Sequence, residues 1–370
     1  EDPTIDLNNT NKNFVSINLK NEEGMKFMKK LLADADIFVN NLRDKALNKM
    51  GLDYETLHKE FPTLIWAQMR GYGEYGPEKD SPGFDAVCWA ARGGVANVFR
   101  EDGESPAIAP QAFGDYNVGH MLATGIVSAL FNRTRTGKGE KVVTNLYAGA
   151  IWGGNIGICA TQFGAPYPKS RKHVPNPFNN TYRTYDDKWI YICMPQYDKY
   201  YPMMMGLFGH EDQIENPDTN NLTSLKASGK NVEVIDWLEK AFAKKTFDEW
   251  MAIFKENEVP AQKCFRYTDV VKDEEAYDND ALRMVEYEAY GKRALPMTPV
   301  RFGSYGDPPV VLSKPIGYHT AEFMHDYGYS DEEIAKIAED GGVVVYDGPE
   351  IEDRIFVSKR QAAGEAPCNW

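Results

Sequence analysis

The first seventy residues switch between two spacings of apolar side chains. From Phe14 to Leu19 apolar and polar residues nearly alternate, the period of a strand. From Glu22 to Ala35 the spacing changes, and Met25, Phe27, Met28, Leu31 and Leu32 fall on one side of a predicted helix. Ile37-Phe38-Val39 is a short apolar run before Asn40-Asn41, and helices are predicted from Leu47 to Gly51 and from Tyr54 to Glu60. Leu64 to Met69 predicts a further strand, ending at Arg70-Gly71-Tyr72-Gly73. Strands alternating with helices predict an α/β fold with a parallel sheet. In such sheets ligands bind beyond the carboxyl ends of the strands, so the loops after Val39 and Met69 are candidate site loops.

A Gly/Pro-rich loop spans Gly73 to Gly83, and a helix is predicted from Phe84 to Ala91. Gly114-Asp115 precedes a long predicted helix through Asn132, with Val118, Met121, Leu122, Ile126 and Leu130 at helical spacing. After a Gly137 turn, Lys141 to Leu146 predicts a strand, and a Gly/Ala-rich helix runs to Ala160. Residues 171–182 are a polar loop, Trp189 to Met194 a strand. From Asp198 to Val259 the pattern is helical and rich in aromatics, which predicts a second, smaller domain. Pro296 to Ile316 predicts loops and short strands, and Asp331 to Glu339 a short helix.

A length of 370 residues fits roughly two domains. Hydrophobic residues at 42% and charged residues at 26% are those of a globular enzyme. The net charge of −14 speaks against binding to nucleic acid through phosphates and against anionic membranes. An anionic ligand would need a local basic pocket. The five cysteines, Cys88, Cys159, Cys193, Cys264 and Cys368, show no CxxC pair, so neither a disulfide framework nor a zinc site is expected. Reduced thiols, and the lack of a signal peptide or an apolar run of about 18 residues, predict a cytoplasmic protein. The sequence begins Glu1-Asp2-Pro3.

Among residues that carry chemistry, Asp115 leads. A carboxylate opening a helix is stabilised by the dipole and by unpaired N–H groups, which would keep it ionised as a nucleophile must be. Gly114 beside it would let a substrate approach the backbone. The competing reading is a plain helix cap. Arg70 and Tyr72 at a strand end suit a phosphate and a stacked ring, against the alternative of a surface turn. Gly71 to Gly76 has GxGxxG spacing, but no helix opens there. His120 reads as a packed or solvated helix residue. His173, beside Arg171 and Lys172, reads either as an anion contact or as part of a solvated basic loop. No metal-ligand spacing and no GxSxG elbow is present.

Taken in order, ADIFVNNLRDKALNKMGLDYETL (35–57), RGYGEYGP (70–77), PGFD (82–85), FGDYNVG (113–119), TGKGEKV (136–142) and PIGYHTAEFMHDYGYS (315–330) resemble the class III CoA-transferases, the family of formyl-CoA transferase. NLRDKAL, VPNPF (174–178) and CMPQYD (193–198) are most similar to its clostridial 2-hydroxyacid members, acting on phenyllactate or 2-hydroxyisocaproate. The resemblance implies a Rossmann-like large domain at 1–185, a small mainly helical or α+β domain at 195–290, and a return to the large domain with a C-terminal tail at 296–370. It implies a homodimer of interlocked chains, with a further strand–helix unit before residue 1. Asp115 matches the family's catalytic Asp. Asn41, Leu42, Lys49, Arg70, Tyr72 and Gly114 match positions that meet substrate or CoA.

That resemblance implies CoA transfer from an acyl-CoA thioester to a carboxylic acid, here an aryl or branched (R)-2-hydroxyacid, through an aspartyl anhydride and an aspartyl-CoA thioester. It implies no metal and no permanently bound cofactor. Two alternatives stand beside it: an α-methylacyl-CoA racemase, whose histidine place is taken here by Phe84, and a non-catalytic CoA-binding protein.

Overall fold

The computed structural model describes residues 2–304 and 306–365. Cys368, Asn369 and Trp370 of the predicted tail lie outside the described residues. The chain forms two compact units, one of residues 1–68, 124–142 and 266–370, the other of residues 69–123 and 143–265.

The Ile37–Asn40 strand pairs in parallel with the Ile65–Arg70 strand, Ile37 opposite Ile65 and Asn40 opposite Gln68. The Lys141–Asn145 strand lies on the far side of the latter in a three-stranded sheet whose first pair is parallel, as predicted. The helix between the first two strands is split, as read, into Asp44–Met50 and Tyr54–Glu60. Gly51 closes the former at φ 66°, and Asp53 caps the latter by accepting from Thr56 N–H. Trp66 donates its indole N–H to the Leu52 carbonyl at 2.9 Å, fixing the strand to this turn.

The strand read at Phe14–Leu19 departs from that sheet. Only Ser16–Ile17 is extended, and it pairs antiparallel with Val343–Val344. Asn21 explains why: it caps the Glu22–Asp34 helix, accepting from Glu23 and Gly24 N–H, and it donates to the Asp340 carbonyl. The chain therefore leaves the strand early to build the cap. Phe27, Met324, Ile334, Ile337 and Val343 bury together behind this pair.

In the second unit the strands Asn179–Arg183, Trp189–Cys193 and Ala261–Lys263 form an antiparallel sheet in that order. The first lies in the stretch read as a polar loop. Its outward-facing Asn, Thr and Arg hide the strand in the sequence, while Asn180 and Tyr182 point inward. Three helices of ten residues or more and one of seven lie between Tyr197 and Glu256, as predicted for this segment. Tyr182, Tyr201, Phe242, Trp250 and Phe254 form their core. The hairpin Leu282–Tyr287 with Gly291–Pro296, in the first unit, had no counterpart in the sequence reading. Its outward positions carry Met284, Glu286 and Lys292, which blur the alternation.

Candidate active site

The segments RGYG, PGFD and FGD meet in the second unit because their glycines permit it. A Cβ on Gly71 would lie 3.0 Å from both Cys88 Sγ and Gly83 Cα. A Cβ on Gly114 would lie 2.2 Å from Asp85 Oδ1 and 2.3 Å from Trp89 Cγ. The glycine beside Asp115 is thus buried under protein, and its missing side chain makes room for Asp85 and Trp89 instead of for substrate.

The Phe113–Thr136 helix begins two residues before the position expected, so Asp115 lies inside its first turn. Tyr116 N–H donates to the Ala112 carbonyl, which makes Ala112 the residue at the cap. Alanine has no side chain to cap with, and Ala112 sits in the left-handed region at φ 56°. Asp85 supplies the missing acceptor from another segment: its Oδ1 takes the Gly114 N–H at 3.1 Å. The capping reading of Asp115 therefore fails. That donor is also committed, so the Gly114 N–H is not free for an oxyanion.

Asp115 is half-buried, and its carboxylate accepts no hydrogen bond among the described residues. Burial first, and then the neighbouring Asp85 charge, push its pKa above the ordinary carboxylate range. This reverses the expectation drawn from the helix dipole: desolvation outweighs it. Asp85, only 8% exposed, is raised by burial and drawn back by the Gly114 and Phe113 N–H groups.

Three neighbours complete the surroundings. Cys88 is fully buried and feels the Asp115 charge. The neighbouring Cys88 thiol pushes the Tyr72 hydroxyl pKa up. The Arg92 guanidinium lies over the rings of Tyr72 and Tyr147, at 5.1 and 5.4 Å, and faces Glu78 at 3.6 Å. Asp85, Cys88 and Arg92 escaped the sequence reading. The one signal for Asp85 was a long helix starting after a residue that cannot cap it.

Arg70 donates to the Lys79 carbonyl at 3.2 Å, holding the Gly73–Gly83 loop to the strand end. No helix follows the GxGxxG spacing there, as expected. Phe84 is 77% exposed. His120 is exposed, with Nδ1 2.9 Å from the Tyr116 carbonyl oxygen. His173 is exposed, and both Arg171 and Lys172 beside it pair with the one carboxylate of Glu239.

Asn41, Leu42 and Lys49 belong to the first unit. Asn41 and Leu42 are exposed just beyond the Ile37–Asn40 strand, at its carboxyl end. Both backbone polar groups of Leu42 are held: its N–H donates to Asn40 at 3.3 Å, and its carbonyl accepts from the fully buried Gln68 side chain at 2.7 Å. Lys49 lines a groove of about 820 Å³ with Lys20, Lys26, Lys29, Met25 and Met50. Lys26 is neutralised by Glu22 and Glu23, and Lys29 by Glu60. Lys20 and Lys49 enter no ion pair among the described residues.

A half-buried carboxylate that accepts no hydrogen bond among the described residues, at the start of a long helix, is suited to act as a nucleophile. The model for CoA-transferase family III matches residues 1–320, and the chain belongs to that family. It is a class III CoA-transferase. It is 39% identical over 348 residues to cinnamoyl-CoA:phenyllactate CoA-transferase of Clostridium sporogenes, covering 93% of this chain and 84% of the relative. It is 38% identical over 346 residues to (R)-2-hydroxy-4-methylpentanoate CoA-transferase of Clostridioides difficile, covering 94% and 86%. Among solved structures, Rv3272 from M. tuberculosis in its orthorhombic form matches with a TM-score of 0.71 at 26% identity, over 85% of this chain and 84% of that one. No helix among the described residues is long and apolar enough to cross a membrane.

Proposed function

We propose that this enzyme transfers CoA to an (R)-2-hydroxyacid with an aryl or branched side chain, and that Asp115 is its nucleophile. One observation carries the nucleophile: a half-buried carboxylate that accepts no hydrogen bond among the described residues, beside a second acid. A structural aspartate would be paired; an unbonded one is a lone pair held ready. The two clostridial relatives support the acid class.

The reaction proceeds by attack of the Asp115 carboxylate on the acyl-CoA carbonyl carbon. CoA thiolate leaves and a mixed anhydride remains. The thiolate then attacks the aspartyl carbonyl, expelling the donor acid and leaving an aspartyl-CoA thioester. The acceptor carboxylate attacks that thioester, again releasing thiolate. Thiolate attack on the acceptor side of the new anhydride yields acceptor-CoA and restores Asp115. Each step exchanges one good leaving group for another, which splits a difficult transfer into easier ones.

In the first unit the Asn41–Leu42 loop and the Lys20–Lys49 groove are proposed to contact CoA, the free lysines meeting its phosphates against an acidic chain, and in the second unit Arg70 and Tyr72 are each proposed as CoA contacts. The working form is proposed to be a cytoplasmic homodimer of interlocked chains with the domain limits given above, taking acyl-CoA and small acids as its only partners and no permanent cofactor. Trp152, Ile156 and Phe163, which are 71, 81 and 91% exposed, support burial against a second copy.

Hydroxylamine added to the enzyme and acyl-CoA without acceptor tests the nucleophile. A hydroxamate mapping to Asp115 by peptide mass spectrometry is expected; one mapping to another carboxylate overturns the assignment.

A further inference from the structure

We propose that Asp85 is a positioning residue for the transfer: its carboxylate holds the first turn of the Phe113–Thr136 helix by the Gly114 N–H, one residue before Asp115, and so places a second negative charge beside Asp115. The inference rests on Asp115 being the nucleophile.

Geometry makes the first half of the case. The helix starts behind Ala112, which has no capping group and a left-handed backbone. Without Asp85, the Gly114 N–H would be buried and unpaired. Gly114 is locked from both sides, by the Asp85 oxygen and by the Trp89 ring, so the residue next to it has little freedom of placement. Asp115 owes its position to that lock. An external acceptor also leaves Asp115 itself unbonded, which a nucleophile needs and a capping aspartate lacks.

Charge makes the second half. The titratable groups facing Asp115 are Asp85 and the Cys88 thiol from the Ala86–Arg92 π-helix and its start. Behind Cys88 stand Tyr72 and Arg92, whose cation is shared among two tyrosine rings and Glu78. Along its own helix, the nearest titratable side chains are Tyr116 and His120. Asp85 is the fixed negative charge in this set. In both covalent intermediates Asp115 is a neutral acyl group, so the repulsion between the two acids is present only in the free enzyme. Asp85 therefore raises the free nucleophile relative to its adducts and favours loading of the enzyme.

Asp85→Asn and Asp85→Ala in the full chain separate these contributions. Asn keeps an oxygen for the Gly114 N–H and removes the charge. Its folding is preserved, the acid limb of its kcat/KM profile moves to lower pH, and less Asp115 is found as hydroxamate at steady state. Ala removes the acceptor as well, and kcat/KM falls on the order of a hundredfold, as for a group displaced by about 1 Å. Part of that loss returns in Asn. If Ala fails to fold, the need for the acceptor is borne out and Asn decides the charge. An Asn variant with the wild-type acid limb and adduct level, or a folded Ala variant with wild-type kcat/KM, overturns the proposal. Wild-type enzyme that yields no Asp115 hydroxamate overturns the nucleophile assignment and this inference with it; normal trapping with an unmoved limb overturns the role of Asp85 alone.

Discussion

The hydrogen that Gly114 carries in place of a side chain points at Asp85: a Cβ there would stand 2.2 Å from Oδ1. Gly114→Ala must push Asp85 or Trp89 out of place. We expect a loss of about 1–3 kcal/mol of stability, the usual cost of overpacking, by chemical denaturation. Transfer activity should fall much further than stability. Equal stability and activity to wild type would show that the helix start can shift freely.

Asp115→Asn removes a charge from a site that resists it. Transferase activity should drop by roughly a thousandfold or more, as for loss of a covalent nucleophile. Stability should move the other way. A carboxyl raised above its ordinary value of 3.8 holds its proton to higher pH when folded than when unfolded. Folded wild type therefore binds more protons in that window, and its stability falls as pH rises from the unfolded pKa through the folded one. The Asn variant lacks this cost. Its Tm should exceed that of wild type at neutral pH and converge with it below the ordinary carboxylate range, by calorimetry at a series of pH values.

Arg70→Ala should weaken CoA thioester binding by about 1.5–3 kcal/mol, the range of a hydrogen bond to a charged group. Its bond to Lys79 carbonyl also steadies the Gly73–Gly83 loop. Calorimetric titration of the folded variant decides; unchanged affinity returns Arg70 to the surface turn.

Lys20 and Lys49 should act together. Reversing both to Glu is expected to weaken CoA binding about tenfold, or ~1.4 kcal/mol, and to flatten its dependence on salt. Reversal of the paired Lys26 should do less, since Glu22 and Glu23 already face it. Equal effects at all three positions would mean a diffuse field rather than a groove.

Much of this was legible in the residues. The strands at Ile37 and Ile65, the split helix between them and the aromatic helical segment after Tyr197 follow from spacing and caps, which are local. What was hidden is non-local. The Asn179–Arg183 strand shows its polar face in the sequence and its buried face only once packed on Phe242 and its neighbours. The Phe14–Leu19 stretch reads as strand, but its partner is Val343–Val344, over 300 residues away. Asp115 stood out because it follows a glycine before a helix; that its charge is disfavoured depends on Asp85, which lies 30 positions earlier and meets it only in the fold.

The proposed homodimer is checked by light scattering on dilution. A species near twice 41.8 kDa that persists to low concentration is expected, and a monomer overturns it.

Cys88 also bears on how this enzyme tolerates its own substrates. A reactive thiolate beside a thioester site would steal acyl groups or form a mixed disulfide with CoA. Cys88 has no exposed surface, and burial drives its thiol pKa up. The thiol, and not the acid, is thus insulated: acyl groups have one place to go. The same insulation makes Cys88 a timer. Alkylating reagents should modify exposed Cys159 and Cys193 first, and reach Cys88 only as fast as the fold around Asp115 opens.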